Sequence, residues 1–444
     1  MSGERLVKSA CVVGAGLGGS MMALYLARRG YKVTVIDRRR DPRLEEISET
    51  SMNLGLSRRG IESLRRVGLA EEALQLVIPM SGRVIHDLQG RLTHQSYGNG
   101  GSEVINAIRR GDINALLVRA AAALPQVTFA FQTRVLSLDP KGPSLELRDE
   151  VRGEERREEF DFIVGADGLF STVRQSIHRG ERADYAQEFL DWGWKELTVP
   201  AGPDGASRME REAFHLWPRG GSLLFAHPNK DGSFTCSLVL PFQGPRSFAA
   251  LSRPGAVSEL FSALFPDLLP VIPDLEEQFA RRSIINLATT RTSPWNYRDK
   301  VVLLGDAAHA VVPFYAQGMN AAFEDCAVLD DCLGRHPEDL EGAFAEYQAI
   351  RKPNTDALAE MSKQNFLELR DSVRSPLQRA RKALDLFLHR LLGEAWMPLH
   401  ARVTHTCVPY ARAVEMTRRQ TGILVSLGVA AVAALLWLAI SISG

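Results

Sequence analysis

Three short stretches of the sequence place glycine beside an acidic residue directly after an apolar run. In the first, the run KSACVV leads into GAGLGG, so Gly14, Gly16 and Gly19 match the pattern GxGxxG. The first glycine of this pattern permits a tight turn, the second admits a pyrophosphate close to the backbone, and the third lets a helix pack on the strand. Asp37 ends the next apolar run, where an acid accepts hydrogen bonds from ribose and would repel a 2′-phosphate. The pattern predicts a site for NAD or FAD.

The second and third stretches follow later apolar runs. GADGLFSTVRQ places Asp167 at a turn, and VVLLGDAAHA ends its apolar run on Gly305 and Asp306. Small residues then lead to a helical pattern that starts near Gly318. A helix N-terminus there stabilises a negative charge by roughly 0.3–1 kcal/mol, and the small residues let backbone lie against a flat ligand.

The periodicity of the chain indicates the elements that hold these stretches. Residues 8–37 read as strand, turn, helix and strand, which predicts a parallel sheet. Residues 185–245 alternate apolar and polar positions between turn signals such as PRGG and NKDG, which predicts an antiparallel sheet. From about residue 338 the pattern is helical.

The bulk composition indicates which kinds of partner, metal site and compartment to expect. The 444 residues are 45% apolar and 24% charged, and 53 basic residues balance 53 acidic ones, so nothing indicates a nucleic-acid partner. The five cysteines have no CxxC spacing and no cluster with histidine, which predicts free thiols in a reducing compartment and no metal site. The short polar lead before the first strand predicts no signal peptide.

The last 24 residues, TGILVSLGVAAVAALLWLAISISG, carry no charge. About 20 apolar residues span a bilayer, and Arg412, Arg418 and Arg419 stand just before this segment. Because basic residues favour the cytoplasmic flank, the sequence predicts a C-terminal membrane anchor with the body of the protein in the cytosol. A buried C-terminal helix or a dimerisation segment is the alternative.

The three glycine-acid stretches, in this order, resemble those of the class A flavoprotein monooxygenases. The resemblance implies FAD and an α/β fold: a discontinuous FAD-binding, Rossmann-like domain of the glutathione-reductase type, an antiparallel-sheet substrate domain and a helical C-terminal part. The implied division gives 1–77, 100–180 and 286–350 to the FAD-binding domain, 78–99 and 181–285 to the substrate domain, 351–420 to helices and 421–444 to the transmembrane tail.

Segments along nearly the whole chain look like the kynurenine 3-monooxygenase family, among them IPMSGR, HLWPRGG, PFYAQGMNAAFEDC, NFLELRD and VTHTCVPYARA. This resemblance implies an enzyme that 3-hydroxylates L-kynurenine with O2 and NADPH or NADH, through a flavin hydroperoxide. The sequence has no second GxGxxG, so the nicotinamide is expected to bind transiently in a cleft.

The family's site residues carry over to matching positions. The implied substrate contacts are Arg83, Tyr97, Phe234, Thr235, Asn365, Glu368 and Tyr410. The implied FAD contacts are Gly14, Gly16, Leu17, Gly19, Asp37, Arg38, Asn53, Arg110, Asp167, Asp306, Gly318, Met319 and Asn320. Arg83 suits a carboxylate clamp because a guanidinium fork binds two oxygens at once. No general base is assigned, and His309 is expected to pack behind its turn.

The chain also departs from the family near the cofactor, at Thr50, Met52, Gly55, Tyr315, Ala316 and Leu369. Three alternatives therefore stay open. The first is an FAD monooxygenase of the same fold that acts on another amino-substituted aromatic. The second is a flavin halogenase, because Trp192-Gly-Trp194 is similar to the motif WxWxIP, although Ile-Pro is missing. The third is a membrane-anchored flavoprotein without hydroxylase activity.

Overall fold

The computed structural model describes residues 8–44, 52–97, 103–180, 182–371 and 376–443. The chain divides into two compact units, Met1–Arg374 and Ser375–Gly444. Its strands are β1 (Ser9–Val13), β2 (Lys32–Ile36), β3 (Asn53–Leu56), β4 (Ile78–Met80), β5 (Gly82–His86), β6 (Leu92–Ser96), β7 (Ile105–Arg109), β8 (Val127–Ala130), β9 (Thr133–Asp139), β10 (Ser144–Asp149), β11 (Glu155–Glu159), β12 (Phe162–Gly165), β13 (Asp184–Val199), β14 (Ala213–Pro218), β15 (Leu223–Pro228), β16 (Phe234–Pro241), β17 (Ile285–Ser293), β18 (Asn296–Tyr297) and β19 (Val301–Leu303).

The helices are α1 (Leu17–Arg28), α2 (Arg58–Arg66), α3 (Ala70–Gln75), α4 (Arg110–Ala122), α5 (Thr172–Gly180), α6 (Ala256–Leu264), α7 (Leu275–Arg281), α8 (Asp306–His309), α9 (Gly318–Arg335), α10 (Leu340–Asp371), α11 (Pro376–Leu392), α12 (Leu399–His405) and α13 (Tyr410–Ser443). Short 3-10 turns lie at Ala249–Ser252, Leu269–Val271, Pro313–Tyr315 and Gly393–Trp396.

A six-stranded sheet of order β18-β19-β12-β1-β2-β8 forms the first core. Apart from the edge pair β18–β19 its neighbours run parallel, which confirms the predicted parallel sheet. Its inner strands are continuous apolar runs because both faces of a parallel sheet are buried. The carboxyl ends of β1, β12 and β19 lie side by side, so the three glycine-acid stretches meet at one edge of the sheet.

The second large sheet has seven strands in the order β17-β13-β16-β15-β14-β5-β6, and only the pair β14–β5 is parallel. Side chains alternate between its two faces. The front face carries Trp194, Phe225 and Val239, which pack with Phe314 and Phe366. The back face carries residues such as Leu197, Phe234 and Trp217, which pack with α6 and α7.

Two of the predicted domain boundaries fall within single elements of the structure. β17 pairs with the long strand β13, so the substrate sheet extends beyond residue 285, where the FAD-binding segment 286–350 is predicted to begin. α10 runs without a break through the predicted boundary at 350/351. The apolar periodicity of a sequence predicts a strand or a helix, but it does not indicate which sheet or domain that element joins.

The second unit contains α11, α12 and α13. α13 continues through the predicted boundary at 420/421. Among the residues that the structure describes, no helix combines the length and the apolarity needed to cross a membrane, and the predicted anchor is not confirmed. Part of the predicted segment, namely residue 444 and the side chains of 436, 438–440 and 442–443, lies outside the described residues.

Candidate active site

The turn after β1 is built from backbone. Gly14 has a φ of +106°, and a Cβ there would lie 2.4 Å from the Ala166 carbonyl oxygen. A Cβ on Gly19 would lie 1.8 Å from the Gly14 oxygen. Gly16 precedes α1 in an extended conformation, and Leu17 is the first residue of the helix. This close-packed turn, with free N–H groups at a helix start, fits a pyrophosphate.

Asp37 follows β2 and points back to this turn. Its carboxylate accepts hydrogen bonds from the Ala15 N–H at 2.7 Å and from the Arg39 backbone at 2.8 Å, and it pairs with the Arg39 guanidinium at 2.7 Å. Burial alone would raise the pKa of Asp37, but these contacts bring it below its usual value, so the group is ionised. Arg38 and Arg39 are both exposed, and Arg39 Nη2 lies 3.8 Å from the position of a Cβ on Gly16. A contact from Arg38 to FAD stays a prediction.

Asp167 caps a helix at the second stretch. It accepts hydrogen bonds from the backbone N–H groups of Thr172 at 2.7 Å and Val173 at 3.1 Å, at the start of α5. Arg174, buried on α5, donates to the Ala307 carbonyl oxygen at 2.8 Å. The second and third stretches are therefore tied together, and a contact from Asp167 to FAD stays a prediction.

The third stretch is supported from behind by a buried ion network. Asp325 accepts from the Gly305 N–H at 3.1 Å, lies 2.6 Å from His309 Nε2 and pairs with Arg351 at 2.7 Å. Burial would raise the pKa of Asp325, but His309 and Arg351 bring it below its usual value. His309 thus lies behind the turn and holds its shape, as expected.

Asp306 and Arg110 lie on the open side of that turn. Both side chains are accessible to solvent, yet the surrounding protein raises the pKa of Asp306 and lowers that of Arg110, and each charge opposes the shift of the other. Accessible groups surrounded by protein line a cleft. An acid and a base at the meeting edge of the sheet fit the ribityl and pyrophosphate groups of FAD, in addition to the glycine turn.

One predicted FAD contact, Asn320, already uses its side chain within the protein. Asn320, on the first turn of α9, accepts from the Ser57 N–H at 2.9 Å and donates to the Gly55 and Ala316 carbonyl oxygens at 2.7 and 3.0 Å. Only its backbone is left to face a ligand. Gly318 begins α9, Met319 is buried beside it, and their contacts to FAD stay predictions.

Asn53 connects the FAD-binding part to the substrate sheet. Its amide donates to Asn229 Oδ1 at 2.8 Å and to the Pro228 carbonyl oxygen at 3.2 Å. Asn229 in turn donates to Thr235 Oγ1 at 3.2 Å. Thr235 therefore faces the same side of the sheet as Asn53. Phe234 lies on the back face beside His215, with ring centroids 5.4 Å apart, because neighbours in a strand alternate. That Phe234 and Thr235 line the ring pocket stays a prediction.

Arg83 and Tyr97 meet at the far side of the front face. The Arg83 guanidinium carbon lies 5.3 Å from the centre of the Tyr97 ring. Burial raises the pKa of Tyr97, and the charge and hydrogen bond of Arg83 oppose that shift. The pairing places a cation and a phenol together, as a carboxylate clamp requires.

The 3-10 turn Pro313–Tyr315 packs on α10 beside this pair. Asn365 donates to the Phe314 carbonyl oxygen at 2.7 Å, and the Phe314 and Phe366 rings stack with centroids 4.5 Å apart. Burial raises the pKa of Tyr315, the Glu368 charge raises it further, and Arg83 opposes both. The charges of Glu368 and Arg83 therefore both act on Tyr315, which the sequence singled out only as a departure from the family.

Glu196 is a further buried acid on the front face that the sequence left unassigned. It lies on β13 opposite Ser237, and its Oε1 has no hydrogen-bond partner among the described residues. Burial raises its pKa to about 7, although Arg282 and Arg110 lower it. Tyr410 belongs to the second unit, where it is buried at the start of α13, and its substrate contact stays a prediction. Thr50 lies outside the described residues.

Comparisons with known proteins show the family to which the chain belongs. The FAD binding domain family matches residues 8–361. A kynurenine 3-monooxygenase of Salinispora arenicola is 48% identical over 98% of this chain and 96% of its own, and that of Myxococcus xanthus is 44% identical over 93% and 89%. The crystal structure of 2-methyl-3-hydroxypyridine-5-carboxylic acid oxygenase superposes with a TM-score of 0.65 over 89% of this chain and 96% of its own, at 24% identity, which shows a shared fold. The chain belongs to the FAD-binding kynurenine 3-monooxygenase family.

Proposed function

We propose that the protein is an FAD-dependent monooxygenase that converts L-kynurenine to 3-hydroxy-L-kynurenine with O2 and NAD(P)H. The observation that carries this proposal is the Arg83–Tyr97 pair on the front face, in a chain whose relatives are kynurenine 3-monooxygenases. Bound FAD supplies the redox chemistry, and the protein supplies orientation and exclusion of water.

Different residues are expected to bind different groups of the substrate. Arg83 presents a fork of N–H donors to the amino-acid carboxylate, and Tyr97 donates its hydroxyl to the same group. Thr235 faces the front of the sheet, where the aromatic ring is expected. Asn365 holds the Phe314 backbone, and Glu368, one turn further along α10, brings a negative charge suited to an ammonium group.

FAD is expected to enter the site with its pyrophosphate at the Gly14–Gly19 turn and its ribityl chain near Asp306 and Arg110. The Asp37 carboxylate is ionised and already engaged by Arg39, which suits a ribose without a 2′-phosphate. The nicotinamide reductant binds transiently, since the sequence has no second GxGxxG.

Oxidation of NADPH and of NADH by the purified protein, with and without kynurenine, tests the proposal. Kynurenine is expected to stimulate oxidation and to yield 3-hydroxykynurenine with one O2 consumed. Stimulation by another amino-substituted aromatic only would identify a different substrate on the same fold. Oxidation that no aromatic stimulates would instead indicate a flavoprotein without hydroxylase activity.

We also propose that the C-terminal segment associates with a bilayer. Support comes from the uncharged sequence 421–444 and from exposed apolar side chains on α13, including Ile423, Leu427, Leu435 and Trp437. Flotation with phosphatidylglycerol-containing vesicles is expected to carry the full chain and to leave behind a chain that ends at Gln420. Equal recovery of both chains away from the vesicles would contradict the proposal.

A further inference from the structure

A chain of side-chain hydrogen bonds crosses the back face of the substrate sheet, behind the strand that carries Arg83. Asp267 Oδ2 lies 2.7 Å from His86 Nδ1, and His86 Nε2 lies 2.9 Å from His215 Nδ1. The remaining nitrogen of His215 lies 2.8 Å from the Glu210 carbonyl oxygen. Both imidazole rings are buried, and the proposed function uses none of the residues in this Asp267–His86–His215 chain.

The three hydrogen bonds need three protons. A carbonyl oxygen only accepts, so His215 must donate to Glu210 from Nε2. A neutral imidazole then accepts at Nδ1, so His86 must donate from its Nε2. His86 Nδ1 faces a carboxylate, so a third proton lies between His86 and Asp267. Two neutral imidazoles and a carboxylate carry two protons, and the complete chain therefore holds one more.

The surroundings assign this third proton to His86. Burial lowers the pKa of His215 to about 4, so that ring is neutral at pH 7. Partial burial alone would raise the pKa of Asp267, but hydrogen bonds from His86 and Trp217 bring it below its usual value. The Trp217 ring stacks on His86 with centroids 4.0 Å apart, and its Nε1 donates to Asp267 at 2.8 Å. An aromatic face against the ring stabilises an imidazolium.

Three other charged groups face the chain. Arg219 donates to the His86 carbonyl oxygen at 2.8 Å and acts on Asp267 as a second cation. The carboxylate of Glu210 acts on His215 and pairs at 2.9 Å with His94, which is exposed on β6. Asp87, next to His86, acts on Arg219. These positive and negative charges compensate the charge of the buried imidazolium, but they do not replace its hydrogen bonds.

We propose that His86, held as an imidazolium by Asp267 and His215, is a positioning residue that fixes β5 and so sets the placement of Arg83. Arg83 and His86 lie on the same strand, and β5 pairs with β14 from Gly82↔Ala213 to Ile85↔Leu216. The inference rests on the proposed function, in which Arg83 holds the substrate carboxylate. Loss of the proton between His86 and Asp267 would break the hydrogen bond that holds β5, so the positioning role requires a proton on both ring nitrogens of His86.

Nitrogen-15 NMR of the histidine-labelled holoenzyme tests the proton count without reference to any substrate. At pH 7, His86 is expected to carry protons on both ring nitrogens and His215 on Nε2 alone. The variants His86→Gln and His215→Gln identify the two signals. A single ring proton on His86 at pH 7 would overturn the proposal.

Kynurenine affinity tests the positioning role. The dissociation constant is measured by flavin absorbance at pH 6 and pH 9 for wild type, His86→Gln and the control His336→Gln, which removes a histidine at the end of α9 that pairs with Glu346. The ratio compared is the dissociation constant at pH 9 divided by that at pH 6. It is expected to be roughly threefold to tenfold larger in wild type and control than in His86→Gln, which is the effect of one hydrogen bond. The titration of kynurenine itself affects all three proteins equally.

An unchanged ratio in His86→Gln would overturn the positioning role. If His86→Gln fails to fold, Asp267→Asn replaces it, because it removes the carboxylate charge at nearly constant shape, and the ratio is expected to fall in the same way. Wild-type protein that binds no kynurenine at either pH would refute the proposed function, whereas the NMR result would still decide the charge of His86.

Discussion

The nucleotide edge of the parallel sheet and the front face of the antiparallel sheet recognise ligands by different means. At the edge, Gly14 and Gly19 leave no room for a Cβ, and backbone groups face the ligand. On the front face, the proposed recognition of the substrate depends on long side chains such as Arg83, Tyr97 and Glu368. A site made of backbone is intolerant of added atoms, whereas a site made of side chains is sensitive to lost charge.

The largest expected effect is at the edge. In Gly14→Ala the new Cβ would meet the Ala166 carbonyl oxygen at 2.4 Å, at a φ of +106°, and a left-handed conformation alone costs about 1–2 kcal/mol. We expect loss of FAD and a lower melting temperature. The ratio of flavin to protein absorbance after gel filtration measures FAD retention.

Gly30→Ala is the matched control for that change. Gly30 also has a positive φ, of +86°, but no atom lies within 4 Å of the added Cβ. It is expected to lose stability by about 1–2 kcal/mol through backbone strain and to keep its FAD. FAD retention by Gly14→Ala at the level of Gly30→Ala would show that close approach at the turn is unimportant.

Removal of charge from the front face is expected to rank second. Arg83→Ala leaves the substrate carboxylate unpaired, which costs roughly 2–5 kcal/mol for a buried pair. At about 1.4 kcal/mol per tenfold, kcat/KM for kynurenine should fall roughly 30-fold to several-thousand-fold, with FAD content unchanged. The control Arg91→Ala removes an arginine from the same β5–β6 hairpin whose side chain is 79% exposed. Activity of Arg83→Ala within a few-fold of that control would refute the clamp.

A smaller effect is expected at Glu196, where substitution changes how the free energy of unfolding depends on pH. Its folded pKa of about 7 lies above the unfolded value near 4.3, so its contribution to stability is lost as the pH rises between these values and is constant above them. Glu196→Gln carries no charge at any pH. Its unfolding free energy relative to wild type should therefore increase by about 3 kcal/mol between pH 4 and pH 8.

Urea unfolding at several pH values measures this difference. Glu155→Gln, which changes an exposed carboxyl on β11, is the control and should follow wild type across the range. A pH-independent difference between Glu196→Gln and wild type would mean that the pKa of Glu196 is the same in the folded and unfolded chains, and the front face would then hold a buried carboxylate at pH 7.

The smallest expected effect is on stability, at Ala316 in the turn before α9, between the two regions compared. Ala316 has a φ of +52°, which costs a non-glycine residue roughly 1–2 kcal/mol, while glycine adds about 0.4–1 kcal/mol of unfolded-chain entropy. The free energy of unfolding of Ala316→Gly should exceed that of wild type by about 1 kcal/mol or less. Ala310→Gly is the control, because its φ of −57° offers no strain to relieve. A loss in both variants, seen by thermal melting, would contradict strain at Ala316.

Sequence patterns predicted much of the fold and about half of the arrangement of the site. The parallel sheet, its three glycine-acid stretches and the pairing of Arg83 with Tyr97 followed from local motifs and family resemblance. The salt bridge of Arg39 with Asp37, the internal hydrogen bonds of the Asn320 side chain and the back-face position of Phe234 did not. Each of these depends on which side of an element faces the ligand, and a shift by one residue reverses that side.

What the sequence by itself determined is local. The turn at Gly14–Gly19 follows from residue types within one βαβ unit, because steric limits on φ and on Cβ act between near neighbours. What only the tertiary structure decided are interactions between distant residues: the hydrogen bond of His86 with Asp267, and the electrostatic influence of Arg110 on Glu196 and of Glu368 and Arg83 on Tyr315. Their protonation depends on burial and on charges brought together by folding, and no pattern in the linear sequence records which side chains share an interior.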